Sequence, residues 1–332
     1  MRSQGGRLNG KVVLHGGAGR WKVDERHAIS VQQVLRQAAD VGMKALRSGG
    51  AVDAVEAAVI ALEDSAVFNA GRGSVLNLEG DIAMDAGMMD GETLVAGGVG
   101  DVHDVPNPIK LARIVMEKTP HVLLVSEGAE RLAEAYGLKG KVLPSKERAQ
   151  AYASAKEAFL EAAKQGWLKG LPKGFLKSMA LADTVGAVAI DNDGHLAAAT
   201  STGGIQFKLP GRVGDSPLAG MGFYAMKGAG AASATGTGEL IAKYGLCLRT
   251  INYMAEGDPA PAATKRAVME LGRLFGKDAA GVIALDKDGV PGVYFNTESM
   301  AVAFAGAGVD PYSKIVGREE MESFRRVLSR RI

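Results

Sequence analysis

A single cysteine, Cys247, in 332 residues has no partner within the chain. An internal disulfide framework is therefore excluded, and with it any sign of an oxidising compartment. Long apolar runs are also missing: none approaches the roughly 18 residues needed to span a bilayer. Met1–Asn9 is polar and glycine-rich and lacks the apolar stretch of a signal peptide. No Asn-x-Ser/Thr acceptor occurs, and no G-x-x-x-x-G-K-[ST] motif that would cradle a nucleotide. Charge of one sign is not in excess. The formal net charge is +2, which gives no argument for nucleic acid or a membrane surface as partner. With 47% apolar and 23% charged residues the chain is not of the disordered class. The expectation is a soluble, cytoplasmic protein.

What the chain has in quantity is glycine, 45 residues without the three-residue period of collagen. They gather in Gly16-Gly17-Ala18-Gly19, Asn69-Ala70-Gly71-Arg72-Gly73, Thr202-Gly203-Gly204 and Thr235-Gly236-Thr237-Gly238. Such clusters mark tight turns or close backbone approaches. Between them the pattern reads as a strand at Lys11–His15 and helices at Ala28–Arg47 and Val52–Asp64. Short strands follow at Ser74–Leu78, Ile82–Met89 and Thr93–Val99, then helices at Pro108–Lys118 and Glu127–Tyr136. Residues 137–183 lack a clear core stripe and read as a mobile connector, although Ala149–Lys164 could be helical.

From Thr184 the pattern turns to β. Thr184–Asp191 and His195–Ser201 flank the turn Asn192-Asp193-Gly194, and both are apolar at nearly every position, as strands buried on two faces are. A second hairpin comprises Gly281–Asp286 and Val290–Asn296, followed by Met300–Phe304; the helices Glu239–Met254 and Pro261–Phe275 lie between the two. Joins are hairpins, and the regular β-α-β alternation of a Rossmann-like sheet is missing. The expected fold is α+β, two antiparallel sheets between helix layers in α-β-β-α order.

Four segments concentrate hydroxyls, glycines and one opposite-charge pair: Asp183-Thr184-Val185-Gly186, Thr200-Ser201-Thr202-Gly203-Gly204, Gly211-Arg212-Val213-Gly214-Asp215-Ser216-Pro217 and Thr235-Gly236-Thr237-Gly238-Glu239. A tight hairpin would bring Thr184 and Thr202 side by side. That pair could equally be a cross-strand contact worth under about 1 kcal/mol. Arg212 and Asp215 suit a ligand with both a carboxylate and an ammonium, or a mutual surface ion pair worth about 0–1 kcal/mol. None of the five histidines (His15, His27, His103, His121, His195) shows a triad arrangement, and His15 reads as a packed or supporting residue.

In this order and spacing the segments resemble the plant-type asparaginase and isoaspartyl peptidase family of N-terminal-nucleophile hydrolases. The resemblance starts at His15-Gly16-Gly17-Ala18-Gly19. It runs through Leu62-Glu63, Phe68-Asn69-Ala70-Gly71, Met84-Asp85-Ala86 and Met89-Asp90-Gly91 to the four segments above. It implies an αββα sandwich made as a precursor that cuts itself between Asp183 and Thr184. Residues 1–183 would then form the α subunit and residues 184–332 the β subunit of one structural domain. Thr184 would be the nucleophile and its freed α-amine the base. That amine has an ordinary pKa of roughly 7.7–8, suited to taking the hydroxyl proton.

By the same resemblance Thr202 orients the nucleophile, while Thr235 and Gly236 supply the oxyanion donors. Arg212, Asp215 and Gly238 line the substrate pocket. Main-chain carbonyls of Leu62, Glu63, Ser65, Phe68, Ala70 and Arg72 hold a structural sodium ion; the residues alone read equally as a helix-terminating loop. Asn69 faces the nucleophile region without a catalytic role. No organic cofactor is implied. The implied substrates are L-asparagine and β-aspartyl dipeptides, and the implied assembly is (αβ)2. One departure is Asp183, where most asparaginase-like members carry Gly; Asp-Thr is typical of glycosylasparaginases. The His-Gly-Gly-Ala-Gly start and the lack of disulfide-forming cysteine stand against the glycan-directed reading. A non-catalytic amino-acid-binding protein using Arg212 and Asp215 is the alternative from another class.

Overall fold

The computed structural model describes residues 9–21, 24–166 and 184–330. The large sheet is assembled from both halves of the sequence. Its strands are β1 (Lys11–Gly19), β2 (Met84–Asp90), β3 (Ala96–Val102), β4 (Leu123–Val125), β5 (Val185–Ile190), β6 (Leu196–Thr202), β11 (Ser299–Gly306) and β12 (Val309–Gly317), in the order β12-β11-β1-β5-β6-β2-β3-β4. The small sheet has the order β10-β9-β8-β7, from β7 (Phe223–Met226), β8 (Gly230–Gly236), β9 (Ala280–Asp286) and β10 (Pro291–Phe295). All pairs are antiparallel except β3 with β4, which is parallel, so the large sheet is mixed rather than purely antiparallel as expected.

Strand periodicity explains the layering. Along β1, Val12 and Leu14 face helices α1 (Glu25–Gly49) and α2 (Ala51–Asp64), whereas Val13 faces the small sheet. Along β5, Val185, Ala187 and Ala189 take the helix side and Val188 and Ile190 the inter-sheet side. Both faces are dry, which is why apolar residues fill successive positions. Helix α3 (Pro108–Lys118) adds Ile109, Leu111 and Val115 to the first layer. On the far side α7 (Leu246–Ala255) and α8 (Ala260–Phe275) cover the small sheet through Ile251, Val268 and Leu271. The result is the α-β-β-α sandwich. The sheets approach closely: a Cβ on Gly87 of β2 would sit 2.1 Å from the ring of Phe223 on β7.

Several sequence-based expectations need revision. Ser74–Leu78 is not a strand. Its backbone bonds go elsewhere: Val75 N to Asn69 Oδ1, Leu78 N to Lys208 O, and Leu76 O accepting from Phe207 N. The stretch is thus an extended anchor for the loop after β6. The helix expected over Glu239–Met254 breaks into α6 (Gly238–Tyr244) and α7, because Gly245 is left-handed at φ 72°. Strands β7, β8 and β12, short β4 and the terminal helix α9 (Met321–Arg330) were not legible as elements. Helix α4 (Ser126–Ala135) falls where a helix was expected. Within the expected connector, α5 (Lys146–Gly166) is helical and sets Tyr152 and Phe159 against Phe207. Residues 167–183, including Asp183, lie outside the described residues.

Candidate active site

Thr184 stands immediately before β5 and is buried. Antiparallel pairing of β5 with β6 sets Val185 opposite Ser201 and Gly186 opposite Thr200, which brings Thr184 to the end of β6. There its Oγ1 donates to Thr202 Oγ1 at 3.3 Å. Thr202 Oγ1 also accepts from Gly204 N at 3.0 Å. The expected hairpin proximity is therefore real and buried.

His15 of β1 reaches Thr184 from the other side. Its Nδ1 lies 2.9 Å from the Thr184 carbonyl oxygen and its Nε2 2.9 Å from Ser233 Oγ on β8. A carbonyl only accepts, so Nδ1 carries the proton. Burial pushes the imidazole pKa down to about 3, leaving it neutral, with Nε2 free to accept from the serine hydroxyl. Ala199 O is the alternative acceptor for that hydroxyl at 3.1 Å. The pair sits over Gly186, where a Cβ would be 2.1 Å from Ser233 Oγ and 2.4 Å from His15 Nε2. Sequence reading singled out Thr184 and the segment through Gly186 but not Ser233. The available signal was that Ser233 precedes Thr235 by two positions, and so shares its strand face.

Thr235 is fully buried on that face and accepts from Ala18 N at 3.3 Å. Its hydroxyl proton has no acceptor among the described residues. Next to it, Gly236 has φ 138°, and a Cβ there would strike Ala279 O at 2.4 Å, so only glycine fits.

Arg212 does not pair with Asp215. Its Nε and Nη2 hold Glu239 Oε1 at 2.9 and 2.8 Å. Asp215 is buried, its Oδ2 has no partner among the described residues, and burial pushes its pKa up to about 7. The two groups meet over Gly238, where a Cβ would lie 2.7 Å from Asp215 Oδ1 and 2.9 Å from Arg212 Nη2. Gly214 and Gly204 crowd the same guanidinium, with would-be Cβ positions 2.7 and 3.1 Å from Nη1. Three glycines from separate stretches of the chain thus make the space that Arg212 occupies. Gly211 has open space at its Cβ and serves its left-handed turn, φ 83°.

The loop after α2 is tied to this site. Asn69 Nδ2 donates to Gly204 O at 2.7 Å, and Asn69 O accepts from Gly203 N at 2.9 Å. Glu63 is fully buried and accepts from Ser201 Oγ at 2.7 Å and Ile109 N at 3.2 Å; burial pushes its pKa up to about 8. Carbonyls of Leu62, Phe68 and Ala70 each accept one bond, from Ser65 Oγ, Ala70 N and Gly73 N. Each keeps a second lone pair. Those of Glu63 and Phe68 turn onto Gly71 and Gly73, 2.7 and 2.0 Å from would-be Cβ atoms. Among the described residues no group of three or more His, Cys, Asp or Glu could hold a metal.

Comparison with known proteins places this geometry in context. A family model described as asparaginase matches residues 8–312. A plant-type L-asparaginase of Pyrobaculum calidifontis is 47% identical over 299 residues, 90% of this chain and 97% of that protein. The plant-type L-asparaginase of Pyrococcus horikoshii is 42% identical over the same shares of the two chains. The human isoaspartyl peptidase/L-asparaginase is 43% identical over 307 residues, 91% of this chain and 94% of the human one.

Proposed function

The chain belongs to the asparaginase family, and from that premise we propose that it hydrolyses L-asparagine to L-aspartate and ammonia and cleaves β-aspartyl dipeptides, after cutting itself between Asp183 and Thr184. The cut frees the Thr184 α-amine. That amine takes the hydroxyl proton while Oγ1 attacks the side-chain amide carbon. The carbonyl oxygen becomes an oxyanion, held by the Thr235 hydroxyl and Gly236 N–H; one such donor typically contributes about 10²–10³ in rate. The amine passes its proton to the leaving nitrogen, ammonia or a peptide amine departs, and an ester to Thr184 Oγ1 remains. Water then attacks this ester and yields aspartate.

Arg212 binds the substrate α-carboxylate and Asp215 accepts from its ammonium, with Gly238 open between them. The arriving ammonium restores the ionised form of Asp215 that burial disfavours. Thr202 orients the nucleophile, and neutral His15 with Ser233 fixes its carbonyl. The observation that carries this reading is a buried Thr184 hydroxyl bonded to Thr202 at the start of β5, in a fold that also brings Arg212 and Asp215 together over Gly238.

Carbonyls of Leu62, Glu63, Ser65, Phe68, Ala70 and Arg72 would hold sodium, a hard cation suited to oxygen ligands. Its charge would stiffen the loop that Asn69 fastens to Gly203 and Gly204. The active assembly is (αβ)2, with residues 1–183 and 184–332 as its chains. The enzyme works in the cytoplasm; its only cysteine is buried and unpaired, and no described helix is long and apolar enough to cross a membrane. Asp183 before the cut favours a second reading, turnover of glycosylated asparagine, which a direct comparison of the three substrates separates from the first.

The decisive experiment is intact mass after purification. Wild type resolves into two chains split before Thr184, and Thr184→Ala stays as one. A wild type that remains whole yet hydrolyses asparagine overturns the self-cleavage mechanism.

A further inference from the structure

Lys208 has no part in the chemistry above, yet it is only 2% exposed. Lysine is almost never so buried without a partner. Its inward course follows from Phe207, which is left-handed at φ 62° and turns its ring outward against Tyr152 and Phe159 of α5, at 5.2 and 4.5 Å between centroids. Lys208 N closes the turn on Ile205 O at 3.0 Å. The ammonium then donates to Ala83 O at 2.7 Å. An ammonium has three protons to donate, and among the described residues no carboxylate lies within ion-pair distance of this one.

Its neighbour of interest is the substrate clamp. A Cβ on Gly204 would lie 2.8 Å from Lys208 Nζ and 3.1 Å from Arg212 Nη1, so ammonium and guanidinium flank one point. Around this pair are four carboxyl groups. Asp85 already accepts from Asp101 N and Gly214 N, Asp101 from Ser126 Oγ, and Glu239 from Arg212; Asp215 is the fourth. Burial lowers the Lys208 pKa from its ordinary value while Asp85 and Asp101 hold it up; protonated, it makes two cations facing these acids. Without it, Arg212 alone faces them, and the field at the clamp turns against an entering anion. In a buried site such a charge acts strongly.

We propose that Lys208 is a positioning residue that makes the Arg212 clamp selective for substrates bearing a free α-carboxylate, by supplying a second positive charge behind the guanidinium. This rests on the reading of Arg212 as the carboxylate binder. The charge acts through the clamp, from behind Gly204. The tether to Ala83 ties the loop to the start of β2.

The test compares kcat/KM for L-asparagine and L-asparaginamide, whose α-carboxylate is an amide, on the same preparation of cleaved enzyme. The ratio of the two cancels any loss of folded or cleaved protein. Wild type favours asparagine. Lys208→Met lowers that preference about tenfold or more, mainly through KM for asparagine. Lys208→Gln keeps a donor for Ala83 O but no charge, and it loses the preference as Met does. A ratio unchanged in Lys208→Met, or restored to the wild-type value in Lys208→Gln, overturns the proposal. A wild type without any preference overturns instead the reading of Arg212.

Discussion

Replacing Thr202 by valine keeps the shape of the side chain and removes a hydroxyl whose partners include two at this site. The first is Gly204 N–H, buried and 3.0 Å away. Orphaning a buried donor costs about 1–3 kcal/mol, so the thermal midpoint falls. The second is Thr184 Oγ1 at 3.3 Å, long for a hydroxyl pair. That length puts the bond in the lower part of the usual range, about 0.5–1 kcal/mol. Converted at about 1.4 kcal/mol per tenfold, its loss lowers kcat by about 2- to 5-fold. Thr202→Ser keeps the hydroxyl and is the control. The assay is asparagine turnover normalised to the cleaved fraction measured by intact mass, with a thermal melt alongside. If fully cleaved Thr202→Val and Thr202→Ser turn over at the same rate, the hydroxyl does not orient Thr184.

Two further outcomes follow from the site. Gly238→Ala puts a methyl 2.7 Å from Asp215 Oδ1 and 2.9 Å from Arg212 Nη2. Overpacking of this kind costs about 1–3 kcal/mol, so KM for asparagine rises about tenfold while self-cleavage proceeds; an unchanged KM moves the substrate away from Gly238. Burial raises the Glu63 pKa from 4.5 to about 8. A raised carboxyl pKa means that its stabilising neutral form is fully present below the unfolded value and lost as pH rises through the folded value. Glu63→Gln stays neutral and keeps an acceptor for Ser201, so its melting temperature falls less than that of wild type between pH 5 and 8.5. The same slope in both proteins refutes the assignment. Asp215, raised from 3.8 to about 7, leaves a residual slope of the same sign.

Much of the layering was legible along the chain because local periodicity reports which faces are dry. Apolar residues at successive positions of β5 and β6 announced strands covered on both sides, and α1, α2, α3 and α8 appeared near their observed limits. Ser74–Leu78 misled because its alternation is that of an extended segment, whereas its hydrogen bonds go to Asn69 and the loop at 205–208. Strand β8 was hidden because Gly230–Gly236 is nearly all small residues, which carry no periodic signal.

The site divides the same way. Thr184, Thr202, Arg212, Asp215 and Thr235 could be singled out because their segments, in that order and spacing, resemble those of a known family. Which groups touch was decided only by tertiary structure. Arg212 grips Glu239 and leaves Asp215 unpaired. His15 and Ser233, far apart in sequence, meet over Gly186 to fix the Thr184 carbonyl. Lys208 turns inward because Phe207 is taken by α5. Such contacts join segments far apart in sequence, strands of different sheets for His15 and Ser233 and loops or helices for the others, where the side-chain period of any one segment says nothing about its neighbour.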